Sequence, residues 1–505
     1  MGASATLGHR LRNGDLPPPT HELRTELVIV GGGMAGLSAA WKLQAEGDVD
    51  FMLLELESEV GGNSRSGENA ISPYPWGAHY VPLPGPDATL VRQLFEELGV
   101  IEGYDDAGEP IYNERYLCAD PQDRLLIHGR WQEGLIPELG VTDADRDQYA
   151  SFFAAMDAFG KAKGSDGRKA FCIPVDQSSR DPRYTALDQE NMARYMDRNG
   201  WTSTPLRWYV DYCCRDDYGS RLEETSAWAG IHYFASRVGG DPKHDGNVLT
   251  WPEGNGWLVA QLRQRLAPRI RTNALVYNIS PTEKGEVLVD VFDAETETST
   301  RIVAKAAIVA TPRFVAARIV APLRETPPAY LKAFTYSPWM VANLSLDGLP
   351  DGPGAPPAWD NVAYQSPSLG YIIATHQAVT QYPQSATVLT YYLPLCESEP
   401  AVARKAALAR TQADWASMIM ADMSRMHPGI ATRVTRLDVW VWGHAMIRPT
   451  PGFIWGPERQ EALKPLGGIF FAHSDMSGVS IFEEAQVRGV TAAEQAIAHL
   501  RSPQA

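Results

Sequence analysis

The sequence predicts an α/β fold in which a parallel-sheet domain is assembled from separate stretches of chain, carries an inserted β-meander and is joined to a second domain of α+β character. Three observations predict it. The apolar run Leu27-Val28-Ile29-Val30 meets Gly31-Gly32-Gly33-Met34-Ala35-Gly36, and Leu37, Ala40, Trp41 and Leu43 then recur at helical spacing. A second apolar run, Phe51-Met52-Leu53-Leu54, stops at Glu55. Much later come strand-like runs in close succession, at 274–279, 287–292, 302–303 and 306–310, closed by Thr311-Pro312.

Along the chain, the first 21 residues carry Pro17-Pro18-Pro19 and no apolar h-region, so a tail without a visible signal peptide is expected. Strand, G-x-G-x-x-G turn and helix then follow in the order of a Rossmann-type dinucleotide-binding unit. Gly31 permits the tight turn, Gly33 lets a pyrophosphate approach the backbone, and Gly36 lets helix and strand pack closely. The helix opening at Met34 and Ala35 offers unpaired N–H groups and the positive end of its dipole to phosphates. Glu55 lies 19 residues beyond Gly36, the spacing of an acid that accepts from the adenosine ribose hydroxyls and repels a 2′-phosphate. NADP is therefore disfavoured.

Composition narrows the class further. The 505 residues are 44% hydrophobic and 21% charged, as in ordinary globular proteins. A net charge of −16 excludes the basic footprint that nucleic acids and anionic membranes require, and it favours cationic small molecules weakly. No run approaches the 18 apolar residues of a membrane span. Cys118, Cys172, Cys213, Cys214 and Cys396 show no C-x-x-C spacing, so neither a zinc site nor a disulfide framework is expected, and no metal.

The segment Glu57-Ser58-Glu59-Val60-Gly61-Gly62-Asn63-Ser64-Arg65 follows Glu55. Near the C-terminus stand Gly467-Gly468-Ile469-Phe470-Phe471-Ala472-His473-Ser474-Asp475 and Ser477-Gly478-Val479-Ser480-Ile481-Phe482-Glu483-Glu484-Ala485. With the glycine turn, these segments resemble the flavin-containing amine oxidase superfamily, the group of monoamine and polyamine oxidases. The resemblance implies non-covalent FAD, since the last cysteine, Cys396, lies far before Asp475. It implies that Glu55 holds the adenosine ribose, that Gly61 and Gly62 let the loop pass the flavin, and that Asn63, Ser64 and Arg65 lie beside it. Arg65 is the charge-bearing candidate there. It also implies that Gly77, Ala78, His79 and Tyr80 run along one flavin face and that Val276 lies beside the adenine. Asp475 falls near the ribityl–pyrophosphate arm, with His473 in place of a usual glycine. The amides of Ile481 and Phe482 are implied to stabilise negative charge on the reduced ring.

By the same resemblance the FAD-binding domain is discontinuous, at about 22–100, 245–325 and 455–501. The pieces 101–244 and 326–454 form the substrate domain, with helical patterns at 149–159 and 192–196. The reaction the resemblance implies is oxidation of a C–N bond in an amine, polyamines included, by hydride transfer to flavin N5. Oxygen or another acceptor completes the cycle. The strand Met340-Val341-Ala342-Asn343-Leu344 carries Ala342 or Asn343 where many relatives place a lysine that assists oxygen. His79, His444, Trp442 and Tyr391 are the candidate catalytic or substrate-orienting residues, with Trp455 a further candidate for lining the cavity; turnover with oxygen is expected to be slow unless a protonated His79 or His444 supplies the charge that lysine would. The competing readings are a C–C desaturase or protoporphyrinogen-oxidase-like flavoenzyme, and a flavin-holding protein without amine oxidase activity. A soluble bacterial protein, cytoplasmic or periplasmic, is expected, with its oligomeric state open.

Overall fold

The structure, a computed structural model, describes residues 5–14, 16–237, 247–349, 351–378 and 386–502. These residues fall into two compact units. The first comprises Ser4–Arg65, Leu258–Thr335 and Trp455–Ala505; the second comprises Ser66–Trp257 and Tyr336–Ile454. The sequence reading carried the first segment of the cofactor domain to about residue 100, whereas this unit stops at Arg65.

The first unit opens with a helix, α1 (Ala5–Asn13), where the sequence suggested only a tail. Strand β1 (His21–Val30) leads through the glycine turn into α2 (Met34–Glu46) and β2 (Phe51–Leu54). Next come β3 (Ile270–Arg271), β4 (Ala274–Pro281), β5 (Val287–Asp293), β6 (Thr298–Val309) and α3 (Arg313–Ile319). The unit ends with β7 (Ile469–Phe471) and α4 (Phe482–Arg501). Its seven-stranded sheet runs β3-β2-β1-β6-β5-β4, with β7 paired to β6. Strands β1, β2, β3, β6 and β7 pair in parallel, while β4, β5 and the start of β6 form the antiparallel meander.

The sequence runs at 302–303 and 306–310 are one strand. Exposed Lys305, paired with Glu26 at 2.8 Å, interrupts the apolar pattern but not the ladder. Residues 27–29 are fully buried, as a central parallel strand requires. Helix α4 lies close against α2: a methyl on Gly489 would come within 2.1 Å of the Ala35 carbonyl oxygen.

The second unit is built on another seven-stranded sheet. Its order is Val434–Ile447, Tyr336–Leu346, Thr387–Pro394, Tyr371–Ile373, Asp360–Ala363, Asp123–Ile127 and Arg130–Glu133. Strand alternation gives this sheet two different faces. Met340, Ala342, Leu344, Leu389 and Tyr391 pack against Trp415, Ile419 and Met423 of helix Gln412–Met426. Trp339, Val341, Val388 and Tyr392 face the other way, against Trp76 and against Tyr212 and Cys213 of helix Thr204–Tyr218. Helices Asp143–Lys161 and Met192–Arg198 cover the two predicted helical patterns.

Candidate functional site

In the first unit the glycine turn is built as the spacing requires. Gly31 has φ +106°, and a methyl on it would meet the Ala310 carbonyl oxygen at 2.7 Å. A methyl on Gly36 would meet the Gly31 oxygen at 1.9 Å, so neither position tolerates a side chain. Gly33 differs. It caps α2 with φ −71°, and a methyl there has only the Gly62 Cα, at 4.0 Å, as a neighbour. That open space beside the amides of Met34 and Ala35 fits a pyrophosphate at a helix N-terminus.

Glu55 stands at the end of β2 and accepts from the backbone N–H of Gly32 (2.7 Å) and of Glu57 (2.8 Å). Burial raises its pKa above the usual carboxylate range, and these amides oppose the rise. The next turn is held by the Gly61 N–H donating to the Gly32 carbonyl at 2.8 Å; Gly61 and Gly62 both have positive φ. Ser64 is buried and Asn63 exposed, while Arg65 lies 3.7 Å from each of Glu57 and Glu59. Val276 is buried on β4 beside a bulge. Asp475 is buried, accepts from the Arg313 backbone N–H at 2.7 Å and lies 3.2 Å from His473 Nδ1. Ile481 caps α4, whose first turn holds Phe482 and the buried acids Glu483 and Glu484.

The second unit gathers the aromatic candidates. Its loop Gly77-Ala78-His79-Tyr80 is pinned by three bonds: Tyr392 Oη to the Gly77 carbonyl (2.9 Å), the Asn255 N–H to the Ala78 carbonyl (3.0 Å) and Thr250 Oγ1 to the His79 carbonyl (2.8 Å). The His79 ring stacks on Tyr392 and lies 5.0 Å from Tyr80 and 5.4 Å from Trp359. Two acids join these rings. Asp216 accepts from Tyr80 Oη at 3.3 Å, and Asp360 accepts from Tyr212 Oη at 3.2 Å. Their neighbour Asp217 is closed by Arg237 at 2.7 Å.

Burial, then the charge of Asp217, pushes the Asp216 pKa up to about 7. Burial and the charges of Asp216 and Asp123 raise Asp360 as well. Burial pushes His79 down to about 3, so its imidazole is neutral. Like-charged carboxylates among aromatic faces are stabilised by a cation placed between them.

Two expectations are corrected and a third is narrowed. Tyr391 is 1% exposed, donates to Asp422 at 2.8 Å and faces the opposite core; Tyr392, the next residue, carries the ring at the His79 cluster. Of the two alternatives Ala342 and Asn343, Ala342 lies in that opposite core and Asn343, like Val341, on the aromatic side; none of the three is lysine. A neutral His79 supplies no positive charge. Trp442 is on the aromatic face, donating from Nε1 to the Trp76 carbonyl at 2.6 Å. His444 packs edge-on to Tyr336, four residues beyond Trp440, about 13 Å along the strand. Trp455 belongs to the first unit, with the Arg459 guanidinium 5.9 Å from its ring.

Asp216, Asp360, Tyr212, Trp359 and Tyr392 went unnoticed in the sequence. Only Tyr212 and Asp216 carried a signal, their i,i+4 spacing on one helix face. Among the described residues no group of three or more His, Cys, Asp or Glu could hold a metal, and no helix is long and apolar enough to cross a membrane.

Residues 29–98 match the model of the NAD(P)-binding Rossmann-like domain. Over 272 residues the chain is 26% identical to amine oxidase [flavin-containing] A of Canis lupus familiaris, an alignment covering 52% of this chain and 46% of that protein. The solved structure of putrescine oxidase bound to putrescine superposes with a TM-score of 0.68 at 16% identity, over 94% of this chain and 100% of that one. The chain is thus similar in sequence to flavin-containing amine oxidases over about half its length, and similar in fold to putrescine oxidase. A second member of this fold, cyclohexylamine oxidase from Brevibacterium oxydans, gives a TM-score of 0.66 at 15% identity, over 95% and 100% of the two chains. The chain spans about half the length of the curated relatives it matches.

Proposed function

We propose that the protein is an FAD-dependent oxidoreductase that oxidises the C–N bond of a small cationic amine. The observation that carries the reading is the meeting of two raised-pKa carboxylates, Asp216 and Asp360, with the rings of His79, Tyr80, Tyr212, Trp359 and Tyr392. The first unit supplies the cradle for non-covalent FAD: the open face of Gly33, the α2 N-terminus and Glu55. When bound, FAD accepts the hydride lost from the carbon next to the amine nitrogen.

The chain's own residues do the rest. Asp216 and Asp360 attract the ammonium group, and deprotonated Asp216 takes its proton, leaving the neutral amine that gives up hydride most readily. The Tyr392, His79 and Trp359 faces exclude water around the carbon skeleton. The position facing the aromatic side is Asn343, not lysine, so the reading includes slow use of oxygen and faster use of an artificial electron acceptor. A panel of mono- and diamines, assayed for acceptor reduction and for peroxide, tests it. Turnover of at least one amine supports the proposal, and inactivity across the panel with both acceptors contradicts it.

A further inference from the structure

Helix α1 was expected to be part of a tail, yet it packs on two segments of the first unit at once. A methyl on Gly8 would sit 3.6 Å from Leu56 Cδ2, the residue after Glu55. The Arg10 guanidinium lies 4.2 Å from the Phe292 ring centroid, and Phe292 pairs with Leu275, the residue before Val276. The chain beyond the helix stays on the meander: Tyr277 Oη donates to the Pro17 carbonyl at 3.2 Å, and the Thr20 N–H donates to the Ser299 carbonyl at 3.0 Å. Leu11 faces Phe314 and Ala317 of α3, with Leu331 and Phe334, across a cavity of about 400 Å³. The docking is therefore incomplete on that side, a contact that can open and close without breaking a filled core.

The two segments that α1 touches are those expected to flank adenosine. They are also tied to each other, by the Ala274 N–H to the Glu55 carbonyl (2.8 Å) and the Asn273 N–H to the Glu57 carbonyl (2.9 Å). Alternation puts Phe292 and Leu275 on the face of the hairpin away from Val276 and Val291. α1 thus bears on the back of the adenosine wall and acts through it.

We infer that α1 is a clamp on the adenosine half of the dinucleotide site: its docking fixes the Glu55–Glu57 turn against the β4–β5 hairpin, and an adenosine diphosphate group bound there in turn holds α1 down. The inference rests on the reading that the first unit holds FAD. Arg10, Leu11 and Gly8 are positioning residues, since none is placed against the ligand.

The test uses flavin-stripped protein in three forms: the full chain, a chain lacking residues 1–16, and full-length Leu11→Asp. ADP is titrated calorimetrically, FMN serves as a control lacking adenosine, and FAD release is followed by flavin fluorescence. Both altered forms are expected to bind ADP about tenfold more weakly and to release FAD about tenfold faster, an ordinary size for coupling between sites. FMN affinity stays unchanged, and ADP slows protease cleavage within α1 of the full chain. If the truncated chain does not fold, Leu11→Asp, checked by its melting temperature, decides alone. ADP affinities equal to the full chain's within about twofold, well under 1 kcal/mol, overturn the clamp while leaving FAD binding intact. A full chain that binds neither FAD nor ADP overturns the dinucleotide reading first, and the clamp with it.

Discussion

His79 lies nearly flat against Tyr392, with ring centroids 4.5 Å apart and planes 28° from parallel. The stack is fixed from behind, because the Tyr392 hydroxyl donates to Gly77, two residues before His79. Burial in this stack keeps the imidazole neutral, so His79 presents an aromatic face and not a charge.

Tyr391 and Tyr392 separate stability from binding. Tyr391→Phe removes a buried hydrogen bond to Asp422, which still accepts from Ser366 and Ser368, and should cost about 1 kcal/mol of stability, the net worth of one hydrogen bond. Its amine KM should stay at the wild-type value. Tyr392→Leu removes a ring at the cluster and should raise KM about tenfold, near the 1–2 kcal/mol of a desolvated cation–π contact. Thermal melting and steady-state kinetics on both variants check the contrast.

Asp216 sets the pH dependence. Its folded pKa is raised to about 7, so the anion that attracts an ammonium group is present above neutrality. KM for a cationic amine should therefore fall as pH rises through about 7, and Asp216→Asn should flatten that fall. Stability runs the other way. The folded protein holds a proton on Asp216 that the unfolded chain gives up near pH 4, so this contribution is full in acid and is lost as pH rises toward 7. Melting curves of Asp216→Asn should lose that downward slope.

The glycine turn offers a control built into the fold. Gly33→Leu meets open space and suits its φ, so the protein should fold with normal far-UV dichroism and lose its flavin. Gly36→Ala drives a methyl into the Gly31 oxygen and should destabilise the unit itself. Flavin absorbance per folded protein and melting temperature distinguish the two.

Reoxidation should be indifferent to His79. A neutral ring offers no charge to developing superoxide, so His79→Ala should reduce slowly with substrate yet react with oxygen at the wild-type rate. Stopped-flow measurement of the two half-reactions checks both halves of this statement.

The sequence made the first unit legible because its chemistry is local. A turn, a helix start and an acid 19 residues on are neighbours in space by virtue of short connections: Gly36 packs on the Gly31 carbonyl, and Glu55 accepts from the Gly32 N–H. The second unit resisted for the opposite reason. Tyr80 meets Asp216 across 136 positions and Tyr212 meets Asp360 across 148, separations that no local pattern encodes. The choice of Tyr391 in place of Tyr392, and the open choice between Ala342 and Asn343, are both matters of parity. Both strands are buried on both faces, so every residue is apolar or enclosed and alternation leaves no mark in the sequence. α1 was hidden by its short length and by the prolines that follow it.

In the proposed cycle the chain holds FAD and passes electrons to it from an amine. The most direct measurement is an anaerobic titration of the purified, flavin-loaded protein with a diamine, followed by visible absorbance. Loss of the oxidised flavin band is expected on adding the diamine, at a rate that rises with pH through about 7 and falls in Asp216→Asn. An oxidised flavin spectrum that stays unchanged with every amine, in a protein that demonstrably binds FAD, would contradict it.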